Sequence, residues 1–238
     1  MTTYNIIGDI HGLPAWKSLV KDECINVFVG DFFDPYTYDI SYEQCKQNFL
    51  EIIEFKKSHP ETVILYGNHE LHYFFYGEIN ERYSRFDEQH AEKIQQLLKD
   101  NALYFNGIAY SIHNKYLVTH AGVSWSWYHR WLGRYDNQTP DEIATQINNL
   151  WELDFRPFLV RQNMKFDCVA EGPTQSPLWL RSWILERNNI FEGTPYVQVF
   201  GHTPCAQIKE KDGLVYVDCL RRINHAVPGK DSFIIEQP

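Results

Sequence analysis

The chain has 238 residues and a formal net charge of −9, with 44% hydrophobic and 22% charged residues. This composition is typical of a globular domain and excludes collagen, coiled coil and disordered chains. The acidic balance also excludes a long nucleic acid as partner, because binding its phosphate backbone requires a positive field. A small phosphorylated ligand stays compatible, since a bound metal ion reverses the local charge.

Short apolar runs alternate with helical patterns in the first half of the chain, which predicts an α/β architecture. Each predicted strand there ends at a glycine that is followed by Asp or Asn. Since ligands of α/β sheets bind beyond the carboxyl ends of strands, these polar residues stand where a site is expected. The predicted strands cover residues 4–7, 25–29 and 62–65, and the predicted helices cover residues 13–22 and 41–58.

The second half is less regular, and residues 121–176 are rich in Trp without a clean period. Thr139 is the expected N-cap of one helix, with Pro140 at its first position and Glu142 at its third. The other predicted elements are helices over 86–100 and 177–188, a hairpin of strands 108–112 and 116–119, and strands at 197–200, 214–217 and 233–235. Without a visible repeat or linker, the sequence predicts a single domain over residues 1–238.

Cysteine usage and hydropathy indicate the compartment. The five cysteines are an odd number without a CxxC pair, which is typical of reduced thiols rather than of a secreted disulfide framework. The longest apolar run is far shorter than the ~18 residues of a membrane span, and no basic-then-apolar leader precedes the first strand. We therefore expect a cytoplasmic protein that does not engage a membrane.

Five short motifs combine metal-competent side chains with small residues. They are GDIHG at 8–12, GDFFD at 30–34, GNHE at 67–70, THAG at 119–122 and GHTP at 201–204. Their carboxylate, imidazole and amide groups suit Mn²⁺, Fe or Zn²⁺, whereas a structural zinc site relies more on thiolates. Asp9 and His11 are two residues apart and can converge on one ion. The two carboxylate oxygens of Asp31 can bridge two ions.

The order of these motifs resembles that of the calcineurin-like metallophosphoesterase superfamily, in particular its phosphoprotein phosphatase branch with bacterial and phage serine/threonine phosphatases. That branch carries GDxHG, GDxxDRG, GNHE, HAG and GHT motifs. The PLWLR segment at 177–181 and the segment 201–218 resemble two further elements of the branch, so the resemblance spans residues 8–218. It implies a metallo-dependent phosphatase-like fold, which is a β-sandwich of two mixed sheets flanked by helices.

The resemblance also implies a two-metal phosphoesterase that hydrolyses phosphomonoesters, including phosphoserine and phosphothreonine, by attack of a metal-bridging hydroxide. Mn²⁺ is the expected metal, with Fe or Zn²⁺ as alternatives. His69 is the implied general acid and Asp34 orients it, while Arg181 and Asn68 contact the substrate. Glu70 is expected to hydrogen-bond the backbone. The implied ligands are Asp9, His11 and Asp31 for the first metal, and Asp31, Asn68, His120 and His202 for the second.

One position departs from the family pattern. GDxxDRG places an Arg directly after the second Asp, but here Pro35 and Tyr36 follow Asp34. The missing Arg normally grips the substrate phosphate, so its loss is expected to weaken binding or to shift substrate preference. Tyr36, Arg221 and Arg222 are the candidates for its replacement.

Two other functions compete with a phosphomonoesterase. The same site suits a dinucleoside polyphosphate hydrolase or a phosphodiesterase, which the missing Arg and the Trp-rich segment Trp125–Trp131 favour. That segment is either an aromatic wall that stacks a ring beside the site or a packed cluster under an irregular loop. A non-catalytic binding scaffold would show eroded ligands, whereas all six ligands and His69 are present. The expected partners are therefore phosphorylated small molecules, nucleotides or phosphoproteins.

Overall fold

Two mixed β-sheets flanked by helices make up the fold in the computed structural model. The structure describes residues 2–37, 39–79, 85–133, 137–160, 172–220 and 230–236. The chain divides into two compact units, the first formed by residues 1–106 with 219–238 and the second by residues 107–218. The predicted α/β class with two mixed sheets and flanking helices is confirmed.

The regular elements follow the predicted alternation of strands and helices. Within the described residues the strands are β1 (Tyr4–Ile7), β2 (Ile25–Phe28), β3 (Val63–Ile64), β4 (Ala109–Ile112), β5 (Tyr116–Thr119), β6 (Val197–Phe200), β7 (Lys209–Lys211), β8 (Leu214–Tyr216) and β9 (Ser232–Ile235). The helices there are α1 (Tyr42–Ser58), α2 (Asn68–Phe74), α3 (Ala91–Asp100), α4 (Trp125–Trp131), α5 (Pro140–Leu153) and α6 (Ser182–Leu185). Of these helices, none has the length and apolar character needed to cross a bilayer.

The sheet of the first unit has the strand order β3-β2-β1-β9. β1, β2 and β3 run parallel, and β9 pairs antiparallel with β1. Most residues of the three parallel strands are buried, as is usual for parallel strands. Because these strands are parallel, their carboxyl ends meet at one edge of the sheet. Three of the predicted motifs leave the sheet at that edge.

Apolar residues of α1 and of the sheet share one buried core in the first unit. Phe49 and Ile52 of α1 lie in it together with Phe28 of β2. The helix begins at a capping box, in which Ser41 accepts from the backbone N–H of Gln44 and the Gln44 side chain accepts from that of Ser41. Burial of a side chain such as Phe49 contributes about 1.5–3 kcal/mol, which keeps the helix packed with the sheet.

The sheet of the second unit has the strand order β4-β5-β6-β8-β7. β4 and β5 form the predicted hairpin, β5, β6 and β8 are parallel, and β7 is an exposed antiparallel edge. α5 begins at the predicted capping box of Thr139 and Glu142. Its Asn148 side chain accepts from the backbone N–H groups of Ile108 and Ala109, which attaches the helix to β4. The parallel pairing places the carboxyl ends of β5 and β6 side by side.

Three predicted helices are shorter in the structure. The range 13–22 contains only the 3-10 helix Pro14–Ser18, α3 lacks the first five residues of 86–100, and α6 covers four residues of 177–188. In the last case the carbonyl of Pro177 accepts from the backbone N–H of Ala121 at 2.6 Å, so a tertiary contact holds this segment outside the helix. Helices α2 and α4 have seven residues each, too few for a sequence period to reveal.

Gly30 allows the chain after β2 to approach the chain after β3. Its φ is 108°, and a Cβ there would lie closer than 3.0 Å to the backbone of Tyr66 and Gly67. Gly77 has a similar φ of 90°, but a Cβ added there would have nothing within 4 Å.

We expect Gly30→Ala to lower the free energy of unfolding by about 3 kcal/mol, because backbone strain and steric clash add. Gly77→Ala should lower it by about 1 kcal/mol, because only the backbone strain is present. Urea unfolding of both variants measures this difference, and equal losses would contradict it.

Candidate active site

The motifs after β1 and β2 lie side by side and continue the parallel pairing of these strands. The backbone N–H of His11 donates to the carbonyl of Asp31 at 2.5 Å, and that of Gly12 donates to Phe32 at 3.0 Å. His11, Asp31 and Asp34 have left-handed backbone with φ of 45°, 57° and 57°. Such a conformation costs an ordinary residue about 1–2 kcal/mol. Strain of this kind concentrates at functional sites.

His11 presents its Nε2 atom to two buried carboxylates. Its Nδ1 donates to the carbonyl oxygen of Phe33 at 2.9 Å, which leaves Nε2 of the neutral ring as an acceptor. Nε2 lies 3.4 Å from Oδ2 of Asp31 and 3.9 Å from Oδ2 of Asp9, and all three side chains are buried. Buried acceptors that face one another are costly unless a cation lies between them. This set of imidazole and carboxylate donors fits a divalent cation.

His69 extends this cluster from the first turn of α2. Ligand atoms of His11, Asp31 and His69 all lie within 4.8 Å of one another. The backbone N–H of His69 donates to Oδ1 of Asp31 at 3.1 Å, so the start of the helix is attached to the central carboxylate. Asn68 precedes His69 on the same turn and is also buried. The structure thus groups His69 with the predicted ligands of the first unit.

Glu70 holds the loops of this cluster together. Its carboxylate accepts from the backbone N–H groups of Asp31 and Phe32 at 2.8 Å and from that of Gly67 at 2.9 Å. The expectation that Glu70 bonds the backbone is confirmed. Burial, together with the negative charge of Asp31, raises the pKa of Glu70 despite these three donors. Glu70 therefore joins the chain after β2 to the start of α2.

Asp34 and His69 form a buried dyad. Nδ1 of His69 lies 2.5 Å from Oδ2 of Asp34, and the Tyr73 hydroxyl donates to the other oxygen of this carboxylate. Burial opposes the charged form of His69, but attraction by Asp31 and the hydrogen bond to Asp34 outweigh it and raise its pKa to about 9. The carboxylates of Asp31 and Asp34 thus favour the charged form of this imidazole, and Nδ1 is the atom that bonds Asp34. An imidazole that a carboxylate orients in this way can hold a proton for transfer.

Two residues beside the dyad are missing from the sequence candidates. Tyr73 follows His69 by four residues, so the spacing would have placed both on one face had α2 been predicted. Arg85 lies outside every motif, and no local pattern marks it. Its Nη2 is 3.4 Å from Nε2 of His69, and its guanidinium carbon is 3.4 Å from the centroid of the Tyr36 ring. Of the candidates for the missing Arg, Tyr36 is thus beside the dyad, whereas Arg221 and Arg222 lie outside the described residues.

In the second unit, His120 and His202 follow the neighbouring strands β5 and β6. Nε2 of His120 is 3.2 Å from Nδ1 of His202, and both rings are buried. His202 also has a left-handed φ of 62°. Arg181 is the N-cap residue of α6, and its Nη1 donates to the carbonyl of His202 at 3.3 Å. The structure thus brings three predicted site residues of this unit together.

Comparison with known proteins agrees with these observations. A sequence profile of calcineurin-like phosphoesterases matches residues 3–226. The chain belongs to this family. Its structure is similar to that of a protein serine/threonine phosphatase from Saccharomyces cerevisiae, described as having similarity to human phosphatase PP5, with a TM-score of 0.54 and 18% identity. That match covers 90% of this chain and 66% of the yeast chain, and it bears on the fold alone. A search of curated proteins gave no match.

Family membership indicates the class of enzyme. Calcineurin-like phosphoesterases are metal-dependent hydrolases of phosphate esters. The resemblance drawn from the five motifs is confirmed. In the first unit, ligand atoms of His11, Asp31 and His69 lie close enough together that they could hold a metal ion.

The Trp-rich segment of the phosphoesterase is a helix rather than an irregular loop. Within α4, Trp127 and Tyr128 are fully buried, and Nε1 of Trp127 donates to the carbonyl of Pro157 at 3.1 Å. Trp125 is 47% exposed and its ring stacks on that of His129. Two of its rings therefore pack in the core of the second unit, as the packed-cluster interpretation requires. The exposed ring of Trp125 stays accessible to a ligand.

Proposed function

We propose that this phosphoesterase hydrolyses phosphomonoesters at a two-metal centre, with His69 as general acid. The observation that carries the proposal is the Asp34–His69 dyad beside the buried cluster of Asp9, His11 and Asp31. A cation-binding cluster alone serves many purposes. An imidazole that a carboxylate orients next to it provides a proton for a poor leaving group, which is what a phosphomonoester of an alcohol requires.

The proposed cofactors are two divalent cations, with Mn²⁺ as the proposed metal and Fe or Zn²⁺ as alternatives. When bound, they supply charge neutralisation at the phosphate and an activated water as nucleophile. Asp31 is the proposed shared ligand, since its two oxygens face different groups in the structure. The proposed ligands are Asp9, His11 and Asp31 for the first cation, and Asp31, Asn68, His120 and His202 for the second.

The chain's own residues bind the phosphate and move a proton. His69 gives the proton on Nε2 to the leaving oxygen as the P–O bond breaks, while Asp34 holds Nδ1 and keeps the ring in place. Tyr73 fixes Asp34 from the other side. Arg181 and Asn68 are the proposed contacts to phosphate oxygens, and a guanidinium suits this role because its donors match the geometry of phosphate.

Removal of the metal tests the class of mechanism. We expect chelation followed by desalting to lower turnover of p-nitrophenyl phosphate by about 10³-fold or more, because nucleophile and charge neutralisation are lost together. Addition of Mn²⁺ should restore it, and parallel reconstitution with Fe²⁺ and Zn²⁺ ranks the metals. Metal content is measured on the same samples. A demetallated protein that retains its turnover contradicts the proposal.

A substrate panel tests the proposed substrate. Phosphoserine and phosphothreonine peptides, diadenosine tetraphosphate and bis-p-nitrophenyl phosphate are compared at equal Mn²⁺. We expect the monoesters to be hydrolysed fastest, because the proton of His69 helps an alkoxide most. Faster cleavage of the tetraphosphate or of the diester would instead support the alternative hydrolase that the missing Arg and the exposed Trp125 favour.

The proposed location is the cytoplasm. The cysteines that the structure describes are thiols rather than disulfides; they are Cys24, Cys45, Cys205 and Cys219, and Cys168 lies outside the described residues. Burial above all, with the nearby charge of Asp34, raises the pKa of Cys45 to about 12, which suppresses its thiolate. Reduced, buried thiols are typical of a reducing compartment. Fluorescent tagging in cells that express the chain measures this location directly.

A further inference from the structure

We infer that Arg85, stacked on Tyr36, binds a phosphoryl oxygen of the substrate and replaces the Arg that is missing after Asp34. The inference rests on the proposed function, because it adds a substrate contact to the same site. It differs from every sequence candidate for this role. Arg85 lies 50 residues beyond the position that the family pattern would use, and only the fold brings it to the dyad.

The guanidinium of Arg85 lies beside the atom of His69 that would face the scissile bond of the substrate. Nη2 is 3.4 Å from Nε2 of His69, the atom that the proposed function places at the leaving oxygen. The leaving oxygen is bonded to phosphorus, so the other phosphoryl oxygens lie within a few ångström of that atom. The guanidinium of Arg85 is therefore within reach of them without a large movement of the chain.

The guanidinium of Arg85 has the chemistry that a phosphoryl oxygen requires. An Arg side chain carries five N–H donors in a planar fork and no acceptor, and the contact of Nη2 with His69 involves one edge of that fork. Nδ1 of His69 is held by Asp34, so Nε2 stays turned towards Arg85. A planar fork of donors matches the oxygens of a phosphate, and such charge-assisted bonds are the strong ones.

Arg85 is held in place from two sides. Its guanidinium carbon is 3.4 Å from the centroid of the Tyr36 ring, and that ring packs edge-on against His11 with centroids 4.6 Å apart. Two residues later, the backbone N–H of Asp87 donates to the hydroxyl of Tyr73, the residue that also holds Asp34. The chain just beyond Arg85 is therefore attached to the residue that holds Asp34, and stacking on Tyr36 orients the guanidinium, which suits phosphate recognition.

A cavity opens beside this cation. It has a volume of about 390 Å³, and Asp34, Pro35, Tyr36, Tyr42 and Arg85 are among its lining residues. This volume is in the range of small-molecule pockets. The cavity borders both the acid's partner Asp34 and the proposed phosphate contact, so it can take the alcohol part of a phosphomonoester. Arg85 thus stands between the phosphate and the organic group of the substrate.

The test measures phosphate binding separately from turnover. Inorganic phosphate is titrated by calorimetry into Mn²⁺-loaded wild type, Arg85→Met, Arg85→Lys and the control Lys93→Met. Lys93 lies 5.9 Å from the centroid of Tyr42, another ring at the cavity, so the control removes one exposed positive charge from the same area. KM and kcat for p-nitrophenyl phosphate, Mn²⁺ content and melting temperature are measured on the same proteins.

We expect Arg85→Met to raise the Kd of phosphate and the KM about 10- to 100-fold, the effect of losing hydrogen bonds to a charged group. Arg85→Lys should recover part of this loss, and Lys93→Met should stay within about twofold because its effect is screened. Mn²⁺ content should stay unchanged. Unchanged phosphate affinity in Arg85→Met, or an equal loss in Lys93→Met, overturns the inference. If wild type binds phosphate through Arg85 but hydrolyses no ester with any metal, the proposed function fails and the Arg85 site stands.

Discussion

Replacement of Asp31 by Asn is expected to lower turnover of p-nitrophenyl phosphate by about 10³-fold or more, the loss expected when metal-assisted charge stabilisation fails. Oδ2 of Asp31 is 3.4 Å from Nε2 of His11, and Oδ1 accepts from the backbone N–H of His69. Asn has the same shape and keeps an oxygen for the N–H of His69. The substitution removes the negative charge through which this carboxylate would attract a cation.

The Asp31→Asn protein also provides a readout that does not depend on activity. A ligand that binds only the folded state raises stability by RT ln(1 + [L]/Kd). We therefore expect Mn²⁺ to raise the melting temperature of wild type, and most of this rise to be lost in Asp31→Asn. Asp22→Asn is the matched control, since the Asp22 side chain is 89% exposed. Unchanged turnover together with an unchanged Mn²⁺ response would contradict the proposed role of Asp31.

Replacement of His69 by Asn is expected to lower turnover of a phosphoserine peptide by about 10²- to 10⁴-fold, the usual contribution of a general acid. The loss should be at least about tenfold smaller for p-nitrophenyl phosphate, because p-nitrophenolate departs without a proton and so needs little acid catalysis. This difference between leaving groups separates proton donation from a structural role. A misfolded or misplaced site would slow both substrates equally.

His69 also lies within reach of the cation cluster, so its role as an acid needs separation from a role as a ligand. Metal content decides this point, and we expect His69→Asn to retain the Mn²⁺ of wild type. His59→Asn is the matched control, since Nε2 of His59 likewise faces a carboxylate, that of the exposed Asp22, at 3.6 Å. We expect this control to stay within about twofold of wild type, as changes away from such a site usually do. Equal losses on both substrates, or lost metal in His69→Asn, would contradict the acid assignment.

The strands of the first unit could be predicted from short apolar runs that end at glycine. The ranges 4–7, 25–29 and 62–65 match β1, β2 and β3 within two residues at either end. Local sequence suffices there because parallel strands bury most of their residues and read as continuous apolar runs. Helix 177–188 was predicted too long, because the carbonyl of Pro177 bonds Ala121, and a contact across 56 residues has no local signature.

The sequence by itself determined the types and order of the candidate ligands, since they are read directly from motifs that follow apolar runs typical of strands. Only the tertiary structure decided what surrounds His69. Tyr73 bonds Asp34 across 39 residues and Arg85 reaches His69 across 16. Neither contact can be predicted from hydrophobic periodicity or from a turn motif. Both depend on how α2 and the chain after it pack on the loop that follows β2. The physical reason is that propensity and periodicity act between near neighbours, whereas these contacts arise only when distant segments share one buried site.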